Sequence, residues 1–214
     1  MNYSPLFQVN LYGLNNIFND IVKLISQNNL PNKIMIKGPS GIGKSTMAFH
    51  LINYLFSLEE KHKYNLINHQ IDLENKSFKL VSNNSHPNLH LIQLIDEKKN
   101  IEISQIRKML DYNNKSSFND RPRFVLIDNA EHLNINSLNS LLKVTEEPNE
   151  KVYFILIHDS NKKLLSTLSS RFLIFRASLS FDRSISVANK LLGQNVYDLI
   201  NIDLINYYST PSDY

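Results

Sequence analysis

Two periodicities take turns along this chain. Over residues 14–29, Leu14, Ile17, Phe18, Ile21, Val22, Leu24 and Ile25 recur at helical spacing, and Pro31 stops the run. Residues 33–37 then read as a core strand built on Ile34, Met35 and Ile36, and 46–58 return to a helix-compatible pattern. Strands over 89–95, 124–127, 152–157 and 172–175 alternate with helices over 101–112 and 135–147 and a short one within 161–168. Asn134 is placed to cap the 135–147 helix and Pro148 to close it. Strands that alternate with helices predict an α/β fold with a parallel, doubly wound sheet. After Arg176 the strands cease. A helix over 181–192, capped by Ser180 and ended by Gly193, and a helical stretch over 196–208 begin a small helical domain. The chain divides accordingly at 1–177 and 178–214. Residues 59–85 carry neither period. They are polar, rich in Asn and Lys, and read as a solvated excursion in which His62 and His69 make a poor metal site.

One stretch carries chemistry. Gly38-Pro39-Ser40-Gly41-Ile42-Gly43-Lys44-Ser45-Thr46 satisfies G-x-x-x-x-G-K-[ST], with a strand before it and a helix after it. The glycines let successive N–H groups turn inward on one anion, and the following helix adds its partial positive charge. Lys44 would reach the outer phosphates of a nucleotide and Ser45 would ligate Mg²⁺. The apolar run 124–127 ends in Asp128, at the carboxyl edge where such sheets bind ligands, and supplies a second Mg²⁺ ligand. His158 and Asp159 end the next strand at the same edge, where His158 is either a γ-phosphate contact or a surface histidine.

Composition narrows the field. The chain has no cysteine, which excludes disulfides, zinc–thiolate sites and thiol catalysis. No basic start followed by an apolar run opens the chain, and no apolar run is long enough to span a membrane, so cytoplasm is expected. A net charge of +3 permits contact with nucleic acid without arguing for it.

Five motifs stand in one order: the 38–46 loop, Ser85-His86-Pro87-Asn88, the 124–128 strand, Asn139-Ser140-Leu141-Leu142-Lys143 with Glu146-Glu147-Pro148, and Ser170-Arg171. Together they resemble the clamp-loader subunits of the AAA+ class, the delta-prime family of bacterial DNA polymerase III above all, over residues 11–193. The resemblance implies a P-loop ATPase core of RecA-like form and a helical lid, of which 178–214 is a part. It also implies a collar domain that this sequence does not contain. ATP with Mg²⁺ is the implied cofactor. The implied partners are other clamp-loader subunits, the sliding clamp, and primer–template DNA held by weak backbone contacts.

Where ATP-hydrolysing members carry Glu after the strand's Asp, this chain has Asn129, which cannot take a proton. Glu131 is near but need not face the crevice. Own ATPase activity is therefore expected to be weak or absent, as in a non-motor, stator-like subunit. The zinc-binding cysteines of many members are replaced by residues 59–84 without metal. Ser170-Arg171 is what the resemblance leaves for catalysis, in trans: Arg171 would enter the nucleotide site of a neighbouring subunit. Read on its own, Arg171 is a surface arginine bonded to its own loop. Two other readings stand beside the stator: a self-contained P-loop ATPase, and a nucleotide-binding interaction module.

Overall fold

The computed structural model describes every residue except 1–3, 96–97, 115–120, 147–148, 150 and 206. The Glu147-Pro148 part of the fourth motif lies outside the described residues. Five strands, β1 (Lys33–Gly38), β2 (Leu89–Ile92), β3 (Arg123–Ile127), β4 (Val152–Asp159) and β5 (Leu173–Arg176), form one sheet. Every pairing is parallel and the order is β2-β3-β4-β1-β5. The helices in chain order are α1 (Asn15–Ser26), α2 (Lys44–Ser57), α3 (Lys76–Ser82), α4 (Ile103–Asn114), α5 (Ile135–Glu146), α6 (Ser166–Ser169), α7 (Phe181–Leu192) and α8 (Val196–Leu199).

The three central strands carry unbroken apolar runs, Ile34–Ile36, Phe124–Ile127 and Phe154–Ile157, because both faces are covered there, whereas β2 and β5 at the edges are only partly covered. Ile34, Ile36, Phe124, Leu126, Ile155 and Ile157 point to one side, where they pack with α1 and α2. Met35, Val125, Ile127, Phe154 and Leu156 point to the other, into a second core with α4 and α5. A third, small core gathers Ile185, Ala188 and Val196 with Phe181, Leu192 and Tyr214. The β1–β4 register pairs Gly38 with Asp159, which brings the phosphate loop and the end of β4 side by side. No helix among the described residues is long and apolar enough to cross a membrane.

Two stretches differ from the sequence reading. The excursion over 59–85 is folded, not solvated: it contains α3, and Tyr64, Ile71, Phe78 and Val81 enter the first core. Asn75 organises it. Its Oδ1 caps α3 by accepting from Phe78 N (2.6 Å) and also accepts from Asn53 Nδ2 (2.9 Å). Its Nδ2 donates to Glu60 Oε2 (2.8 Å) and to His62 O (2.6 Å). His62 also has acidic company, Asp72 Oδ2 at 2.9 Å. The helical stretch over 196–208 is cut short. After α8, Asn201 Oδ1 accepts from Asp203 N and draws the chain into a 3₁₀ turn, Ile202–Leu204.

His50, in α2, gives the fold a pH dependence. It is fully buried between Tyr64 OH (2.9 Å from Nδ1) and Gln8 O (3.1 Å from Nε2). A carbonyl can only accept, so Nε2 carries a proton, and in the neutral ring Nδ1 accepts from the Tyr64 hydroxyl. Burial pushes its pKa down to about 4, against a smaller opposing effect of the Gln8 carbonyl. Burial pushes His86 down to about 4 as well. Between pH 6.5 and 4 the unfolded chain therefore binds more protons than the folded one. Stability present above pH 6.5 is lost as pH falls, by about 3 kcal/mol for His50 alone near pH 4. Urea unfolding at pH 7.5 and 4.5 should show that loss, and His50→Asn should have a shallower pH dependence. Equal slopes for the two proteins would remove His50 as the cause.

Candidate nucleotide site

The phosphate loop leaves β1 at Gly38, where a Cβ would collide with the carbonyl of Ala177. It then passes through Gly41 and Gly43, both at positive φ (77° and 90°), a region that glycine enters without strain. Ile42 between them is buried and anchors the loop in the first core. Pro39 lends its carbonyl to Lys44 Nζ, Ser40 is exposed, and Thr46 lines the cavity over the loop. That cavity, about 510 Å³, is bounded by residues 40–46, Asp128, Tyr12 and α7, and lies within the size range of nucleotide-sized pockets.

Lys44 is buried, which pulls its pKa down, and Asp159, Glu131 and Asp128 oppose that in this order. Its partner, a backbone carbonyl, is neutral, so a phosphate oxygen would be the stronger acceptor. Ser45 Oγ donates to Asp128 Oδ1 at 2.9 Å, and Asn129 N donates to the same oxygen at 2.9 Å. Burial raises the Asp128 pKa, and these two bonds pull it back. A hydroxyl and a carboxylate in contact at the loop's edge form a donor set that suits Mg²⁺.

Glu131 faces the crevice, which sequence spacing left open. Asn129 takes a left-handed conformation (φ 56°) and starts a 3₁₀ turn, Ala130–His132. The turn swings Glu131 back to β4, where its Oε2 accepts from Asp159 N at 3.1 Å. His158 is not on the surface: it is wholly buried, and both ring nitrogens lack a partner among the described residues. Burial lowers its pKa, with Glu131 the largest opposing influence.

Sequence reasoning missed the roof. Pro211, Ser212 and Tyr214 line the cavity, and a Cβ on Gly41 would collide with Ser212 Oγ and Thr210 Oγ1. The 3₁₀ turn Pro211–Asp213 is closed by Thr210 and Asp213, so it rests on the loop as a formed unit. Nothing in its polar composition marks it in advance.

Ser170 and Arg171 lie away from this cavity, at the end of α6. Ser170 Oγ donates to Thr167 O (3.2 Å). Arg171 Nη1 donates to Thr167 O (2.7 Å) and Nη2 to Glu146 Oε1 (2.8 Å), which joins two of the sequence motifs in one contact.

Residues 13–179 match the family described as DNA polymerase III, delta subunit. The DNA polymerase III subunit delta' of Buchnera aphidicola (subsp. Schizaphis graminum) is 29% identical over 167 residues, 78% of this chain and 48% of that protein. The delta' subunit of Bacillus subtilis is 28% identical over 148 residues, 69% of this chain and 42% of that protein. The gamma subunit of the same Buchnera is 30% identical over 121 residues, 55% of this chain and 33% of that protein. The chain thus spans about half, or less, of the length of the curated relatives it matches. Among solved structures, the RuvB Holliday junction branch migration motor of Thermotoga maritima aligns with a TM-score of 0.50 at 16% identity, covering 89% of this chain and 56% of that one. That likeness is one of fold, the P-loop fold of AAA+ ATPases.

Proposed function

The chain belongs to the delta-prime family of DNA polymerase III, and from that premise we propose that it is a non-motor subunit of a clamp loader. In this reading it stands beside ATP-hydrolysing subunits of the gamma type, helps them load a sliding clamp on primed DNA, and lends Arg171 to a neighbour's nucleotide site. DNA would be met through phosphates alone. The observation that carries the reading is Asn129. It stands where a general base would act, its side chain is an amide, and its backbone N–H is committed to Asp128. ATP is held without being turned over. The 41–46 amides and Lys44 would take its phosphates, and Ser45 and Asp128 would hold Mg²⁺, which supplies charge neutralisation.

One observation favours a second reading, a self-contained ATPase. Glu131 has a carboxylate in the crevice, near enough to Lys44 to hold its charge. ATP turnover by the purified chain with Mg²⁺ separates the two. The stator reading expects none. It also expects fluorescent ATP to bind, and Lys44→Ala to weaken that binding about ten- to hundredfold, the worth of a charge-assisted hydrogen bond. Turnover that disappears in both Lys44→Ala and Glu131→Gln would put the motor reading first.

A further inference from the structure

We propose that Glu146 is the resting seat of Arg171, a carboxylate that holds the guanidinium back and is exchanged for phosphate when the arginine is used in trans. The inference rests on the finger reading above and adds its control. Arg171 Nη1 is bonded to a carbonyl four residues earlier in its own chain, and Nη2 to Glu146 Oε1 at the end of α5. Both terminal nitrogens are thus turned back on α5 and α6. An arginine that reaches a neighbouring subunit must extend beyond its own surface, so this pose is the retracted one. Thr167 O is neutral. Glu146 is the charged partner, and a phosphoryl oxygen is the ligand that replaces a carboxylate on a guanidinium without loss of geometry.

The pair is built to let go. The side chains are 34% and 54% exposed for Arg171 and Glu146, so solvent screens the attraction and the bond is weak enough for ligand exchange. Lys143, one turn before Glu146 in α5, and Arg176, in β5, are the other described cations on the two elements that flank this contact. Neither is bonded to Glu146 in the described contacts, which leaves Arg171 as its ion-pair partner. Glu146 is a positioning residue in this scheme, since it touches the arginine and not the nucleotide.

A retracted state reduces the fraction of chain competent to engage, and so raises the concentration needed without changing what the engaged arginine does. Glu146→Gln removes the charge and keeps the shape. The test titrates the 214-residue chain into the gamma-type ATPase subunit of the same organism, with ATP, Mg²⁺ and primed DNA. For Glu146→Gln the half-saturating concentration should fall about two- to fivefold with the maximal rate unchanged, and the difference from wild type should shrink at high salt. A general structural defect would instead lower the maximal rate or raise the concentration needed. An unchanged or raised half-saturating concentration, or a lowered maximal rate, would overturn the seat. Arg171→Ala runs alongside. Lost stimulation there with no shift in Glu146→Gln removes the seat alone, whereas full stimulation by Arg171→Ala removes the finger reading and the seat with it.

Discussion

Arg171→Ala should lower ATP turnover at the neighbouring subunit's site by about 10³–10⁵, the worth of an arginine supplied in trans to a phosphoryl-transfer site. The size follows from where charge develops. The transferring phosphoryl group spreads negative charge over its equatorial oxygens, and a planar guanidinium meets two of them at once. Lysine offers a point charge and no fork, so Arg171→Lys should recover little. The protein itself should hardly notice. Arg171 is partly exposed, and its two bonds, to Thr167 O and Glu146 Oε1, are a surface bond and a screened ion pair. Such contacts contribute about 1 kcal/mol or less to stability. A variant that unfolds like wild type and leaves its partner inert is the expected pairing. Turnover within tenfold of wild type would end the claim that this arginine acts in trans. The measurement is steady-state ATP hydrolysis by the partner with saturating chain, beside a thermal unfolding curve of the chain alone.

The parts of the site that were legible are those whose signal is local. A phosphate loop is a run of nine residues between a strand and a helix. Asp128 follows a strand whose 124–127 run is apolar because both its faces are covered. Period-2 alternation also held the answer for His158: it shares a face with Leu156, which lies in the second core, so its burial follows from register. Glu131 was not legible. Its direction depends on a left-handed Asn129 and a 3₁₀ turn, and asparagine tolerates that conformation without demanding it. The excursion over 59–85 was misread for a related reason. Asn, Glu, Ser and His in sequence look solvated, and only tertiary folding brings Asn53 and Glu60 to Asn75. The 196–208 stretch misled in the opposite direction. Its apolar spacing is helical, and Asn195 caps the start of α8, but the Asn201 side chain bonds the Asp203 N–H and offers a turn that competes with the helix.

The same network sets the second large effect. Asn75→Ala should destabilise the chain by about 2–4 kcal/mol and lower its unfolding temperature by about 5–15 °C. An asparagine side chain has two acceptor positions and two donors, and here all four are used at zero exposure. Alanine removes the cap of α3, worth about 1 kcal/mol by itself. It also leaves the Asn53 amide, buried in α2, without its acceptor, and a buried donor without a partner costs more than the bond it made was worth. Asn53 Oδ1 already lacks a partner among the described residues, so the variant would leave both ends of this buried amide unpaired. Asn75→Asp separates the two contributions. Aspartate caps as well as asparagine, but it gives up both donors and sets a second carboxylate against Glu60, whose oxygen lies 2.8 Å from the present amide. If the network carries the stability, the aspartate variant should lose nearly as much as the alanine one. If aspartate restores most of the wild-type unfolding temperature, the cap alone mattered, and the excursion is held by its apolar residues, Tyr64, Ile71, Phe78 and Val81, rather than by its polar centre.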